Sequence, residues 1–461
     1  MTTSSSAPAT DSGPRMARRE LPGPRGAAAL PVLVRMMRSR LDTMEWAVTK
    51  YGDAVHLPLG PKTLHFFNHP DHAKHVLADN AENYTKGLGM IHARRALGDG
   101  LLTSEGAVWR RQRKTIQPVF QARRIAEQLD VISDEAERLV ARLRARGADG
   151  FVDLRDEMTG FALSVLGRAL IDADLSEFES LGASFEAVQN QAMFDAITLG
   201  RVPLWLPLPL QNSFRRAKRD LQRIVDRLAA DRGNREPGQD VVSRLIESIG
   251  QDCDQRAGRA RMRDELVTLL LAGHETTAST MSWTFHLVDE HPDVWERLHA
   301  EATAVFGQGP LTIDRLHQLT YTSQVLQEVL RLYPPVWLLP RIARAADEIG
   351  GFPIEAGADV LLCPYLLHRH PAFWSAPARF DPERFTPAAS AGRNRYSYIP
   401  FGAGPRFCVG NNLGLMEATV VLATVARDLY LAKAPGYRVT GEAMLTLRIR
   451  GGLPMTVRPV S

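Results

Sequence analysis

Residues 401–410 read FGAGPRFCVG, and the apolar run after them predicts a helix from near Cys408 to about residue 432. Cys408 then stands where loop becomes helix. Backbone N–H groups and the positive end of the helix dipole face its sulfur, and both favour the thiolate. Gly402 and Gly404 let the loop turn tightly, and Gly410 lets the helix lie flat against a planar group. Arg406 can reach an anion beside that group. A lone cysteine at a helix start is ordinarily a small buried hydrophobe. With Phe401, the glycines and Arg406 around it, this one reads as a metal ligand on a rigid loop.

Upstream, RMRDELVTLLLAGHETTASTMSWTFHLVDEHP (261–292) is the longest apolar helical stretch. Its apolar residues surround the axis, so it is expected to be buried on most sides. AGHETT (272–277) breaks that pattern with Glu275 and Thr276. A buried threonine often bonds back to the carbonyl four residues earlier. The small pair Ala272 and Gly273 and the adjacent acid suggest more: room for a macrocycle and a diatomic molecule, and a hydroxyl that passes protons through water. Glu328 and Arg331 lie three apart in the helix before Pro334 and share a face. Such a pair, met alone, is usually a solvated surface bridge. Trp109 and Arg113, four apart in WRRQRK, also share a face.

Around these motifs the chain reads as mainly helical with a minor sheet. Short strands are expected near 51–78, with a turn at Gly60-Pro61. Helices follow over 104–119, 121–146 and 155–192. Residues 201–212 carry three prolines and read as an apolar connector. A helix resumes over 212–233, and 234–257 reads as polar and exposed. Strands and prolines occupy 334–390. Residues 1–26 read as a disordered polar lead, and 27–461 as one domain, since 50–461 holds no Pro/Gly/Ser-rich linker.

The 461 residues are 44% hydrophobic and 23% charged, ordinary globular usage that excludes a disordered or fibrous chain. The net charge of +4 is interleaved rather than gathered in one stripe, which argues against a nucleic-acid binder and for one local basic face. Cys253, Cys363 and Cys408 are too few for a disulfide framework and suit a reducing compartment. Cys253 and Cys363 carry no motif and read as structural. No stretch is long and apolar enough to span a membrane, and the N-terminus lacks a signal peptide's apolar core. The expectation is a cytoplasmic protein, and a monomer.

The motifs together resemble those of the cytochrome P450 family. FxxGxRxCxG is matched by Phe401, Gly404, Arg406, Cys408 and Gly410, and the other motifs occur in the family's order over residues 50–460. The resemblance implies haem b (iron protoporphyrin IX) as cofactor, with Cys408 as axial iron ligand. It implies that Trp109, Arg113 and Arg341 bind a propionate, with His368 either a propionate contact or a structural histidine. It adds Arg384, from FDPERF, to Glu328 and Arg331 as a buried structural ion cluster. It assigns Glu275 and Thr276 an acid–alcohol relay for protons.

The function implied is a monooxygenase that hydroxylates or epoxidises a bulky apolar small molecule, using dioxygen. Electrons would come from a ferredoxin and its NAD(P)H-dependent ferredoxin reductase, since no flavin or iron–sulfur motif is visible. Thiolate ligation favours O–O cleavage. By the same analogy, segments near 85–97, 193–210, 269–272, 336–339 and 445 form the substrate pocket. Met90, Leu204, Trp205, Leu206, Leu208, Trp337 and Leu338 make it apolar, which suits a terpenoid, polyketide or macrocycle in natural-product biosynthesis. A fatty acid held by Arg94, Arg95 or Arg201 is the runner-up. A peroxide-using enzyme would not need the Glu275–Thr276 relay, and a haem sensor without turnover is the alternative of another class.

Overall fold

The computed structural model describes residues 20–460 apart from 60–61, 88, 149, 179, 199, 234–237, 239, 251–254 and 308. Its axis is the 36-residue helix Gln255–Glu290. Leu266, Leu270, Met281, Trp283 and Phe285 are buried on different sides of it, as apolar residues all round the axis predict. Its polar residues are made tolerable by bonding back along the helix. Thr280, Ser282 and Thr284 donate to the carbonyls of Thr276, Ala278 and Thr280 at 2.8, 2.7 and 2.8 Å. Helices Leu154–Leu166 and Asn411–Asp428 pack along this axis.

A five-stranded sheet flanks the helices. Its strands are β1 (Ala54–Leu59), β2 (Lys62–Phe67), β3 (Tyr84–Lys86), β4 (Leu339–Ala343) and β5 (Asp359–Leu362). The order is β1-β2-β5-β4-β3. The β2–β5 pair is parallel, with Leu64 opposite Asp359, and the other pairs are antiparallel. A three-stranded sheet has Pro454–Pro459 between Val152–Asp153 and Leu429–Lys433. The mainly helical fold with a minor β region is the one the sequence predicts.

Several boundaries differ from the sequence reading. The stretch 155–192, read as helical throughout, is divided into Leu154–Leu166, a short turn of helix Gly167–Ile171, and Leu181–Ile197. Val241–Gly250 is a helix inside the stretch read as polar and exposed, with Val241, Val242 and Leu245 buried. Asp240 starts it by accepting the Ser243 N–H at 2.9 Å. The helix after the apolar connector begins at Pro209, because proline is tolerated in a helix's first turn. The stretch 121–146 is divided into Ala122–Ala126 and Leu129–Gly147. Residues 20–26, read as part of the lead, run beside β1: Leu21 is buried, and the Pro22 carbonyl accepts the His56 N–H at 2.7 Å. Residues 1–19, and Cys253, lie outside the described residues.

Candidate functional site: a cysteine loop beneath an apolar cavity

The cysteine loop is held by bonds that need its glycines. Gly402 and Gly404 have φ of +72° and +66°. A Cβ on Gly404 would lie 1.8 Å from the Leu77 carbonyl oxygen, so only glycine fits there. The Cys408 N–H donates to the Phe401 carbonyl at 3.0 Å. That amide is therefore spent on the loop and does not face the sulfur. The helix starts at Asn411, with Gly410 as its cap, later than the sequence reading placed it. Burial pushes the Cys408 thiol up, opposed by the Gly410 N–H and the Arg113 charge. The side chain is accessible, but onto an internal cavity rather than onto bulk solvent. A Cβ on Gly410 would meet Phe120 Cε1 at 3.8 Å, an ordinary contact, and no closer atom among the described residues beyond its chain neighbours.

Behind the loop stands the ion cluster. Glu328 and Arg331 are fully buried and joined twice, Nε to Oε2 and Nη2 to Oε1, both at 2.7 Å. Arg331 also donates to the carbonyls of His368, Pro377 and Arg379 at 3.0, 2.7 and 3.1 Å. Arg384 brings Nε to 3.4 Å from Glu328 Oε1, an ion contact without hydrogen-bond geometry. His368 takes the structural reading: its Nε2 accepts the Ile399 N–H at 2.8 Å, and burial pushes its pKa down to about 3. The Trp374 indole donates to the Ser397 carbonyl at 3.3 Å, and the Tyr398 hydroxyl to the Gln327 carbonyl at 3.0 Å. The chain entering the cysteine loop is thus tied at three successive residues, Ser397, Tyr398 and Ile399, to neighbours of the cluster.

A cavity of about 830 Å³ lies between this loop and the long helix. Cys408, Phe401, Ala272, Gly273, Glu275 and Thr276 all line it. Thr276 donates to the Ala272 carbonyl at 2.7 Å, the back-bond of the bland reading. Glu275 Oε1 accepts from the Thr446 hydroxyl at 2.8 Å. The missing Cβ of Gly273 is directed at Leu166, whose methyls would lie 2.8 Å from it, so this glycine also serves helix packing.

Glu417, which the sequence reading missed, lines the same cavity from the cysteine's helix. It is buried, with Oε2 accepting from Thr277 at 3.1 Å and Oε1 unpartnered. Burial raises its pKa to about 8.

The cations that the sequence singled out converge at one side of the cavity. Arg406 pairs with Glu105, donates to the Ser104 carbonyl at 3.2 Å and stacks 3.8 Å over the Trp109 ring. Arg113 donates to the Phe407 carbonyl at 2.9 Å and to Gln117 at 3.0 Å. Arg341 donates to the Pro340 carbonyl at 2.9 Å. Lys86, also missed, donates to the carbonyls of Leu101 and Leu102. A single lysine at a strand end and a single acid before a helix give no sequence signal, so Lys86 and Glu105 were not legible.

Comparison with known proteins gives the family. The cytochrome P450 family profile matches residues 24–438. The chain belongs to the cytochrome P450 family. It is 33% identical over 416 residues to cyclooctatin synthase of Streptomyces melanosporofaciens, covering 89% of each chain. It is 30% identical over 418 residues to pentalenene oxygenase of Streptomyces avermitilis, covering 89% of this P450 and 91% of that protein. It is also 30% identical over 437 residues to the chloroplastic protein LUTEIN DEFICIENT 5 of Arabidopsis thaliana, with 88% and 72% covered.

Membership makes this P450 an oxidoreductase of the monooxygenase class and implies a haem-thiolate cofactor. The cavity chemistry fits that group. Lys86, Arg113, Arg341 and Arg406 line it, and of these Arg406 pairs with an acid, Glu105. Burial and the neighbouring Arg406 push Lys86 down to about 7 and Arg341 down to about 10. Partly buried cations in excess are costly until anions join them, and a group bearing two carboxylates would supply those anions. No helix among the described residues is long and apolar enough to cross a membrane.

Proposed function

We propose that this P450 hydroxylates or epoxidises a bulky apolar terpenoid, with haem held by Cys408 and electrons delivered by a ferredoxin system. The observation that carries the reading is the apolar enclosure facing Cys408. Met90, Met193, Leu269, Leu338 and Leu445 line it. Two relatives whose names refer to cyclooctatin and pentalenene support the terpenoid class. A fatty acid would need a free cation on the cavity wall. Arg94, Arg95 and the exposed Arg201 do not line it, and the other candidates are engaged. Arg40 donates to the Ala443 carbonyl at 2.6 Å, and Lys62 pairs with Asp359 at 2.9 Å. Arg95 is spent on Asp195 and on the carbonyls of Gly200 and Val202, and Arg94 on Asp99.

Haem bound here supplies the oxidising chemistry, and the protein supplies placement and protons. Trp109, Arg113, Arg341 and Arg406 hold the propionates, with Lys86 beside them. Phe401, Gly402 and Gly410 shape the floor, and Ala272 and Gly273 the wall opposite. Thr276 delivers a proton by turning its hydroxyl off the Ala272 carbonyl into the cavity, and Glu275 beside it replenishes that proton through water. Apolar walls exclude bulk water and press the substrate toward the floor.

Optical titration of the purified haem protein against a terpenoid panel tests the substrate class. A saturable spectral change is expected with polycyclic terpenoids and none with fatty acids; the reverse pattern overturns the reading. Cys408→Ser should abolish the red-shifted band of the reduced carbon monoxide complex.

A further inference from the structure

An unpaired amide interrupts the apolar wall of the cavity. Gln189 sits on the helix Leu181–Ile197, which packs on the helix Met90–Leu97. Of the side chains these two helices give to the cavity, Met90, Ala93, Ala192, Met193 and Ile197 are apolar, and Gln189 stands among them as the polar one. It is 3% exposed, and the surface it lines is the cavity's. No group among the described residues hydrogen-bonds its side chain. Gln191, two residues on, shows the ordinary arrangement of a buried glutamine: its Nε2 donates to Asp195 at 3.0 Å. A buried amide without a partner is costly and uncommon. What occupies the cavity is then the partner available to Gln189.

Other polar groups on the wall are spent or sealed. Thr276 and Thr280 bond back to carbonyls of their own helix, and Glu275 accepts from Thr446. Thr268 Oγ1 and Glu417 Oε1 also lack partners, but neither atom is open to the cavity. The Gln189 amide is uncharged and offers N–H donors beside a carbonyl acceptor. A hydroxyl, which both donates and accepts, matches it on both counts. A carboxylate would use the donors alone, and a bare hydrocarbon would leave the amide unpaired.

We infer that Gln189 selects a substrate that already carries a hydroxyl, so that this P450 oxidises a polycyclic alcohol rather than the parent hydrocarbon. The inference rests on the function proposed above and narrows its substrate class. A hydroxyl held by Gln189 fixes one end of an otherwise featureless skeleton, and with it the carbon that is turned toward the floor. Dioxygen, two electrons and two protons then convert the alcohol to a diol, or an unsaturated alcohol to an epoxy alcohol, with one water released. The reaction that feeds this enzyme must therefore be one that leaves a hydroxyl on the carbon skeleton.

Optical titration of the purified haem protein with matched pairs decides it: cedrol against α-cedrene, and abietadienol against abietadiene. The alcohol of at least one pair is expected to bind roughly 10-fold or more tightly than its hydrocarbon, because a buried polar group left unpaired penalises the analogue that lacks the hydroxyl. Gln189→Met keeps the length of the side chain and removes both hydrogen-bonding groups, so it should bring that ratio to roughly 1, with a thermal midpoint no lower than the parent's. A glutamine with a merely structural role would, when replaced, weaken both members of a pair alike and leave the ratio standing. Equal affinities within both pairs, or a preference that survives Gln189→Met, overturn the inference and leave the terpenoid reading intact. No saturable spectral change with any of these compounds overturns both.

Discussion

Thr276 and Glu417 show opposite ways of placing a polar group in an apolar wall. Thr276 satisfies itself within its helix at 2.7 Å, so replacing it costs the fold little. Thr276→Ala is expected to retain haem and to keep consuming NAD(P)H through its partners, with more of the electrons emerging as hydrogen peroxide. The ratio of product to NAD(P)H consumed measures this, and an unchanged ratio would remove the relay role. Glu417 is held protonated by burial, its pKa raised from 4.5 to about 8. The folded state therefore binds a proton that the unfolded state releases above about 4.5. The stability that this proton supplies is complete below the unfolded value and lost as pH rises through about 8. Glu417→Gln should flatten that slope, so that its stability relative to the parent rises increasingly from pH 5 to 8, by on the order of a few kcal/mol at the upper end, and its thermal midpoint rises with it. Thermal melts of both proteins across that range give the comparison.

At the scale of elements, the ion cluster is a strut between the helix Thr320–Leu332 and the chain entering the cysteine loop. Arg331 fills its donors with two carboxylate oxygens and three carbonyls. Arg331→Ala would leave the buried Glu328 with the Asp381 N–H at 2.9 Å and the Arg384 contact at 3.4 Å alone, a loss of about 3 kcal/mol or more. Thermal unfolding should shift accordingly, and the haem-to-protein ratio after gel filtration should fall. A variant with parental haem content would show that the strut is dispensable. The cysteine loop was legible in the sequence because its glycines, arginine and cysteine act within ten residues of one another. The Glu328–Arg331 pair was legible as a spacing, while its burial came only from the family resemblance, since the residues that bury it come from 368–384. Glu417 carried the signal that revealed Glu275, an acid interrupting an apolar helix, and was passed over for lack of a motif around it. Val241–Gly250 was missed because a short amphipathic turn between polar flanks resembles a surface loop until a partner is placed on it.

The whole molecule divides its surface by charge and polarity. Arg110, Arg111 and Lys114 are exposed on Gly106–Ile116, the helix whose Arg113 touches the Phe407 carbonyl beside Cys408. Arg395 is exposed nearby, whereas Arg393 is withdrawn, stacked 4.4 Å over Trp374 and bonded to the Arg384 carbonyl. An acidic ferredoxin approaching this face would be steered by it, and less so as salt shortens the screening length to about 8 Å. Arg110→Glu/Lys114→Glu should raise the Michaelis constant for ferredoxin several-fold at low salt and leave substrate binding, read by optical titration, nearly unchanged. Equal ferredoxin kinetics in parent and variant would move the docking face elsewhere.

The cysteine loop is braced by the fold at several points: the Cys408 N–H on the Phe401 carbonyl, the Ile399 N–H on His368, and Gly404 pressed against the Leu77 carbonyl. A segment braced in this way has little chain entropy left to lose. If Cys408 takes the proposed haem iron, that step would cost correspondingly little ordering.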